Sequence, residues 1–354
     1  MTSETRGWPS HPLVQLTLVR YREFFREPEA VFWVFVFPVL LTAGLGIAFR
    51  NQAPERTRVA VVEQGPASKA LVEALARSPD LMALSLEAEA AAHALRTGNV
   101  ALVVLPAERA DSVEYHFDAE RPESRTARLL VDDALQRAAG RSDPVRVADR
   151  QVREPGSRYV DFVVPGLLGM NLMGSGIWGL GFAIVDARRK KLLKRLIATP
   201  MSRVQFLASF VLSRLTMLVI EVGVLVGFGV LAFGVPVRGS LLSLLAICLL
   251  SALAFSALGL LLASRARTVE GVSGLMNLVM LPMWIFSGVF FSASRFPDAL
   301  QPLIQALPLT AVNDALRASM LEGAGWDRLA PEVGIVAAWL VVSFALAVRL
   351  FRWR

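Results

Sequence analysis

The sequence predicts an α-helical polytopic membrane protein, in which six transmembrane helices carry an α/β extracytoplasmic domain between the first and the second. Composition is the first observation: 54% of the residues are hydrophobic and 19% are charged, against about 25% charged in a soluble globular chain. The second is that the apolar residues form blocks of about 17 to 25 residues, the length that crosses the hydrocarbon core of a bilayer. The third is a water-compatible stretch after the first block, where strand and helix patterns alternate.

The six apolar blocks predict the membrane-spanning helices. They occupy residues 31–49, 162–185, 206–233, 240–263, 271–292 and 332–348. Each must be helical, because lipid offers a backbone no hydrogen-bond partner. The third block is overlong and contains Arg214 and Glu221, so it is either a longer tilted helix or a helix that enters the membrane at a shallow angle.

The basic charge of the chain is a signal of topology. The formal net charge is +7, yet residues 50–160 hold sixteen Lys/Arg against seventeen Asp/Glu. Sixteen Lys/Arg lie in segments that a cytoplasmic N-terminus places inside, and four lie in the short outside loops. The positive-inside rule therefore predicts a multi-pass membrane protein with both termini in the cytoplasm. The excess charge beside the spans predicts no nucleic-acid partner, and the lipid bilayer is the expected surroundings.

Residues 1–30 form the predicted N-terminal segment. Val14, Leu18, Tyr21 and Phe25 recur at helical spacing, next to arginines on the polar edge. Such an amphipathic helix either lies in the membrane interface or simply extends the first span into the cytoplasm. Proline in the run Glu27–Glu29 breaks the helix before the first span.

Residues 50–160 read as a small α/β domain. The predicted strands are Arg58–Glu63, Leu81–Leu86, Ala101–Leu105, Val113–Phe117 and a last one at Val145–Val152, with helices around Ser68–Ala76, at Ala88–Thr97 and at Glu123–Ala139. His93 and His116 show no metal-ligand spacing, so no metal site is predicted. The only cysteine, Cys248, falls within the fourth span and leaves this domain without disulfides.

Residues 161–354 are predicted to be a five-helix transmembrane domain with one irregular outer segment. Between 293 and 330, amphipathic stretches are interrupted by Pro297, Pro302 and Pro308 and are too short or too polar to span. A re-entrant hairpin or helices in the outer leaflet fit this pattern. The second span is rich in glycine, which predicts a packed interface because small residues let helices approach closely.

The loop between the second and third spans predicts a short amphipathic helix at 187–199 on the cytoplasmic side. Leu192, Leu193, Leu196 and Ile197 make its apolar stripe, and Arg188, Lys191 and Arg195 make its basic face. Thr199 precedes Pro200, which disfavours the α conformation of its neighbour and ends the helix. Charge and amphipathicity alone fit an anionic lipid surface and a protein partner equally well.

At this point the chain resembles the permease subunit of ATP-binding-cassette exporters of the second type (ABC type 2). The resemblance covers essentially the whole chain. It rests on the order of one span, an outside α/β domain and five spans, on the helix-Thr-Pro-Met-Ser element at Leu192–Ser202, and on the stretch from Leu307-Pro308-Leu309-Thr310 to Leu316-Arg317. One departure is that Lys190, Lys191 and Lys194 stand where the commonest pattern has Gly-Thr and Glu.

The resemblance implies partners and a location, the bacterial cytoplasmic (inner) membrane, as well as a fold. The 187–199 helix would be the coupling helix that docks on a cytoplasmic ATPase subunit, through Arg188, Lys191, Leu192, Leu193, Arg195, Leu196, Thr199 and Pro200. A second copy of the chain, or a paralogous permease, would complete the translocation path. ATP and Mg²⁺ would bind to the ATPase, because this sequence contains no G-x-x-x-x-G-K-[ST] phosphate loop; no cofactor is expected on this chain.

Polar residues inside the spans are candidates for the translocation path, because they are unfavourable in lipid unless they have a function or a partner. The four candidates are Arg214, Glu221, Asn171 and Asn277. The alternative for each is structural: the charged residues pair with polar groups of neighbouring helices, and the asparagines form hydrogen bonds between helices.

The predicted function is therefore a non-enzymatic transport subunit of an ATP-driven exporter. No G-x-S-x-G or H-E-x-x-H motif occurs and no histidine lies in a span, which argues against an intramembrane hydrolase. Two alternatives stay open: an ion- or proton-coupled secondary transporter that uses Glu221, and a membrane-tethered sensor or scaffold protein. The transported molecule is not predicted.

Overall fold

Two units of the chain are seen in a computed structural model: Met1–Arg50 together with Val152–Arg354, and Asn51–Gln151. The described residues are 12–49, 56–107, 112–142, 144–145, 147–148, 156–189, 203–264 and 268–350. The first unit carries the apolar helices, and the second is the α/β domain.

Six helices of the first unit are long and apolar enough to cross a membrane, as the sequence predicts. Span 1 is Pro28–Ala48, span 2 Tyr159–Val185, span 3 Leu212–Phe233, span 4 Leu241–Ala263, span 5 Val269–Phe286 and span 6 Trp326–Leu350. Span 3 belongs to one continuous helix, Arg203–Phe233. Its 31 residues extend about 46 Å at about 1.5 Å per residue, which is longer than a hydrocarbon core of about 30 Å.

The N-terminal helix α1, Pro12–Arg26, is separate from span 1. Glu27 has an extended backbone, and Pro28 takes the first position of the next helix, where a missing N–H does no harm. Span 1 itself is irregular: residues Phe32–Val36 form a π-helical turn, and Pro38 follows directly in the α-helix Phe37–Ala48. The predicted break before the first span is thus confirmed, and a second irregularity lies within the span.

Glycines bring span 2 into close contact with its neighbours in the same chain. A Cβ added at Gly259 of span 4 would lie 2.5 Å from the carbonyl oxygen of Ile177 in span 2. A Cβ added at Gly176 would lie 2.7 Å from the Cβ of Phe255 in span 4. The packed interface that the glycine-rich sequence predicts is therefore found inside the described chain, between spans 2 and 4.

The segment between spans 5 and 6 is built from short helices, as the prolines predict. It contains 3-10 turns at Ala293–Arg295 and Asp298–Leu300, helix α5 at Gln301–Ala306, helix α6 at Pro308–Arg317 and a π-helical turn at Ala318–Glu322. Nearly all of α6 is buried in the membrane unit, although it is too short to span. Gly323, with a φ of 67°, ends the segment in the left-handed conformation that glycine adopts without strain.

The α/β unit is a four-stranded sheet in the order β2-β1-β3-β4. Its strands are β1 Thr57–Val62, β2 Leu81–Leu86, β3 Leu102–Pro106 and β4 Val113–His116, and its helices are α2 Gly65–Ala76, α3 Ala88–Arg96 and α4 Pro122–Ala138. In chain order these come before α5 and α6. Strand β1 is parallel to β2 and β3, whereas β4 is antiparallel to β3.

Alternation along β1 builds two cores. Val59 and Val61 point to the core that includes Leu75 of α2, and Ala60 and Val62 point to the opposite one. Burial on both faces explains the near-continuous apolar run in the sequence. Most predicted elements agree with the structure within a residue or two. The start predicted for α2 at Ser68 is wrong, because the helix begins at Gly65, with Pro66 in its first turn, and Ser68 lies inside it and donates to the carbonyl oxygen of Gly65. The described residues of 145–152 contain no strand; the others of that range lie outside the described part.

The close contact at Gly176 generates a stability prediction. Gly176→Ala should lower the free energy of unfolding by about 1–3 kcal/mol, because overpacking forces the backbones of spans 2 and 4 apart. Gly174→Ala is the matched control on the same helix, since an added Cβ there meets nothing within 4 Å. Thermal unfolding in detergent measures both. Equal stability of the two variants would contradict the packing described for spans 2 and 4.

Candidate functional site

Three side chains of spans 2 and 3 form a closed ring of hydrogen bonds in the membrane. Arg214 and Glu221 lie seven residues apart on one helix, which places both on the same face two turns apart. Arg214 Nη1 donates to Glu221 Oε1 at 3.1 Å, and Arg214 Nη2 donates to Ser175 Oγ at 2.8 Å. Ser175 Oγ in turn donates to Glu221 Oε2 at 3.2 Å. We call these three residues the span 2–3 ring.

Because Glu221 is buried, its charge is tolerated in the membrane only through its pairing with Arg214. The Glu221 side chain is 1% exposed and that of Arg214 is 28% exposed. A single charge in the middle of a bilayer is strongly unfavourable, whereas the Arg214–Glu221 pair has no net charge. The ring therefore serves first to hold spans 2 and 3 together. A role of these residues in the translocation path stays a prediction.

Asn171 joins span 2 to span 1. Its side chain is buried, and its Nδ2 donates to the carbonyl oxygen of Val34 at 3.1 Å. Val34 lies in the π-helical turn of span 1. Because Asn171 precedes Ser175 by four residues, both lie on one face of span 2, one turn apart. Polar contacts thus run continuously from span 1 through span 2 to span 3.

Asn277 stands apart from these contacts. It is exposed on span 5, on the face that also carries Leu278 and Leu281, which are 70% and 53% exposed. Within the described part of the chain the Asn277 side chain makes no hydrogen bond. The structure thus brings Arg214 and Glu221 together, places Asn171 one turn from their serine partner, and leaves Asn277 on a separate apolar surface.

A second set of polar contacts fixes the turn that follows span 5. The Asn313 side chain, fully buried on α6, donates to the carbonyl oxygen of Ser287 at 2.8 Å. Arg317, also on α6, donates to the carbonyl oxygen of Gly288, and its guanidinium lies 3.7 Å from the ring centre of Phe162 in span 2. The hydroxyl of Tyr159 donates to the carbonyl oxygen of Phe290 at 3.0 Å.

These contacts were missed in the sequence. Arg317 is one of the four basic residues that the charge pattern places in the short outside loops, although its side chain is largely buried and bonded to backbone. The Leu307–Arg317 stretch of the family resemblance is the one signal that could have pointed to this residue. Nothing in the sequence indicated that the acceptors are main-chain carbonyls.

Arg158 links the N-terminal end of span 2 to the residue that follows span 3. Asp161 is fully buried and accepts hydrogen bonds from the backbone of Gly156 and from Arg158 Nη2 at 2.8 Å. Arg158 also donates to the carbonyl oxygen of Gly234, just beyond span 3. The hydrogen bond to Asp161 raises the pKa of Arg158, so the cation is retained at every physiological pH.

The predicted coupling helix at 187–199 lies outside the described residues, apart from the helical backbone at 187–189. The helices that flank it are described: one ends at Arg189, and the next begins at Arg203. The sequence between these two helices contains Lys191, Leu192, Leu193, Arg195, Leu196, Thr199 and Pro200. The Arg188 side chain is likewise outside the described part. In the part that is described, no three His, Cys, Asp or Glu residues are grouped so as to hold a metal ion.

Comparison with known proteins gives one family across nearly the whole chain. The sequence model of a family described as ABC-2 family transporter protein matches residues 29–349. Among individual proteins, Nodulation protein J of Bradyrhizobium diazoefficiens is 27% identical over 57% of this chain and 77% of its own length. ABC transporter G family member 20 of Dictyostelium discoideum is 24% identical over 61% of this chain and 30% of its own.

A third relative is the inner membrane transport permease YhhJ of Escherichia coli. It is 25% identical over 49% of this chain and 46% of its own length. The chain therefore spans less than two thirds of the length of two of these three relatives.

The span 2–3 ring generates a prediction on stability. Glu221→Leu should lower the free energy of unfolding by about 3–5 kcal/mol, because it leaves Arg214 buried without its counter-charge. The double variant Arg214→Leu/Glu221→Leu should recover at least half of that loss, since it removes both charges. Thermal unfolding of Arg214→Leu, Glu221→Leu and the double variant, measured in the same detergent, completes the double-mutant cycle. If the loss of stability in the double variant equals the sum of the losses in the two single variants, the two charges do not interact as described.

Proposed function

Because the chain belongs to the ABC-2 family of transporter proteins, we propose that it is the transmembrane permease subunit of an ATP-driven exporter. It moves a substrate across the cytoplasmic membrane when a separate ATPase subunit hydrolyses ATP. The observation that carries the proposal is the match of one family along residues 29–349, which includes all six spans except the first residue of span 1 and the last of span 6.

The loop between spans 2 and 3 is the proposed contact with the ATPase. Its basic face of Arg188, Lys191 and Arg195 and its apolar stripe around Leu193 suit a cleft of a protein partner. The described geometry supports this assignment, because a long helix runs unbroken up to Arg189 and another starts at Arg203, on either side of this segment. A push on the loop then acts on both helices.

The span 2–3 ring explains how such a push would travel. Ser175 lies fourteen residues from the end of its helix at Arg189, about 21 Å along the axis, and Arg214 lies eleven residues from Arg203, about 16 Å. At that depth the two helices are joined by two hydrogen bonds through Ser175, one from Arg214 and one to Glu221. We expect spans 2 and 3 to move together, and the opposite ends of the same helices are joined again by the hydrogen bond from Arg158 to the carbonyl oxygen of Gly234.

A second copy of the chain, or a paralogous permease, completes the proposed transporter. One copy offers one coupling loop, and an ATPase pair requires two. The exposed Asn277 supports this arrangement, because an amide in the middle of a lipid-facing surface lacks a partner, whereas a facing subunit or an aqueous path would supply one. Both termini are proposed to be cytoplasmic, and the α/β unit to lie outside.

The two alternatives have less support. A proton-coupled transporter would need Glu221 free to exchange a proton, but the carboxylate is engaged by Arg214 and Ser175. A sensor or scaffold would use the α/β unit as its main functional part, but the family match runs over the membrane unit as well.

The coupling assignment is tested by co-purification. Leu193→Asp, Lys191→Glu and Arg195→Glu should each reduce recovery of the partner ATPase by at least about fivefold while the permease stays inserted. The reason is that each variant loses a buried apolar contact or a charge pair, at about 1 kcal/mol or more. Lys69→Glu is the control, a charge reversal at an exposed lysine of the α/β unit. Unchanged recovery across the three loop variants would remove the loop as the ATPase contact.

The proposed orientation is tested by cysteine labelling. Cys248 is the only cysteine and is buried, so Cys248→Ala provides a clean background. In intact cells a membrane-impermeant maleimide should label Ser112→Cys in the α/β unit and should leave Ser202→Cys unlabelled until the membrane is opened. The reverse pattern would place the α/β unit in the cytoplasm.

A further inference from the structure

A backbone carbonyl in span 1 lacks its helical donor. In a regular α-helix the carbonyl oxygen of Val34 accepts from the N–H of residue 38, and that residue is proline, which has none. The chain responds with a π-helical turn at Phe32–Val36, in which the N–H of Phe37 bonds to the carbonyl oxygen of Phe32. No water is available in the hydrocarbon core to satisfy an orphaned carbonyl.

Span 2 supplies the missing donor. Asn171 Nδ2 lies 3.1 Å from the carbonyl oxygen of Val34, and the asparagine is 8% exposed. Pro38 is buried too, together with Thr42 and Gly46 one and two turns on, so this stripe of span 1 faces the interior of the unit. The donor and the helix break therefore meet at a packed contact between two spans.

We propose that Asn171 is a positioning residue: it replaces the N–H that Pro38 lacks and so sets the direction of the cytoplasmic half of span 1. The π-helical turn and Pro38 make the backbone there the weakest point of the span, since a break in the hydrogen-bond ladder is where helices bend. Asn171 holds that point in one geometry. With the bond made, span 1 is fixed to span 2; with the bond broken, the residues before Pro38 pivot.

The position of Asn171 connects this hinge to the span 2–3 ring. Asn171 and Ser175 are one turn apart on the same face, so a rotation of span 2 that disturbs one contact disturbs the other. The hinge is a property of the chain by itself. Its use during transport rests on the proposed function, because only ATPase-driven movement of the coupling loop would rotate span 2.

The first test is a double-mutant cycle with a matched control. Asn171→Leu, which removes the donor and keeps the size, should lower the thermal unfolding midpoint of the reconstituted chain. In a Pro38→Ala background residue 38 has its own N–H, and the loss caused by Asn171→Leu should shrink by at least half. Asn277→Leu makes the same chemical change on span 5, and its effect should be the same in both backgrounds. An undiminished loss from Asn171→Leu in the Pro38→Ala background would overturn the proposal.

If Pro38→Ala does not fold, a donor-retaining variant decides the question. Asn171→Gln keeps an amide N–H on a longer side chain and should recover part of the stability that Asn171→Leu loses. An equal loss in the two variants would show that the site responds to shape alone, which also overturns the proposal.

The second test measures direction. Spin labels at Glu29→Cys and Leu253→Cys, in the Cys248→Ala background, report the cytoplasmic side of the hinge; labels at Ile47→Cys and Leu253→Cys report the outer side. All three labelled residues are exposed. In the chain alone Asn171→Leu should broaden the first distance distribution and leave the second unchanged. Equal changes in both pairs, or none in either, would contradict a hinge at Pro38.

The same labels separate this inference from the proposed function. With the ATPase and a non-hydrolysable ATP analogue added, the first distance should shift in the unmodified chain. An ATPase that does not bind would count against the proposed function and leave the hinge result in the chain alone intact. Binding of the ATPase and nucleotide without any shift would overturn the use of the hinge in transport.

Discussion

Everything in the membrane unit depends on the absence of water from the hydrocarbon core. A soluble protein can leave a helix break or a stray charge to the solvent, whereas a span must satisfy each polar group from within the protein. The hydrogen bonds to the carbonyl oxygen of Val34, to the carboxylate of Glu221 and to the carbonyl oxygen of Gly288 all satisfy this one requirement. In each case a side chain of a neighbouring element, which for Glu221 is Ser175 of span 2, satisfies a polar group that lipid would leave unpaired. The same groups that are unfavourable in lipid therefore specify which elements lie together.

Close packing is what lets these short side chains reach. Serine and asparagine extend only a few bonds from the backbone, and they bridge two helices only where the helices approach closely. Span 2 allows this close approach through glycines such as Gly176, against which Phe255 of span 4 packs. The glycine-rich sequence of span 2 and its polar face are therefore two parts of one arrangement: glycines draw the neighbours in, and Asn171 and Ser175 fix them.

The sequence predicted the elements well and their partners poorly, for a physical reason. Hydropathy and periodicity are local, so six spans and the strands of the α/β unit could be located within a few residues. The Arg214–Glu221 pair was partly visible as well, because a separation of seven places two residues on one helical face. The partner of Asn171 was not, since it is a main-chain carbonyl 137 residues away. A pattern of side chains does not indicate which main-chain carbonyls accept hydrogen bonds, which is also why the contacts of Arg317 were missed.

Neutrality of the span 2–3 ring bears on how these helices can move. An isolated charge that shifts across the membrane potential gains or loses about 2.3 kcal/mol per 100 mV for a full crossing. Arg214 and Glu221 move together with no net charge, so a displacement of spans 2 and 3 along the membrane normal carries almost none of this energy. A pair that is both buried and neutral is thus compatible with a moving part, whereas a single carboxylate at the same depth would tie the motion of the helix to the membrane voltage.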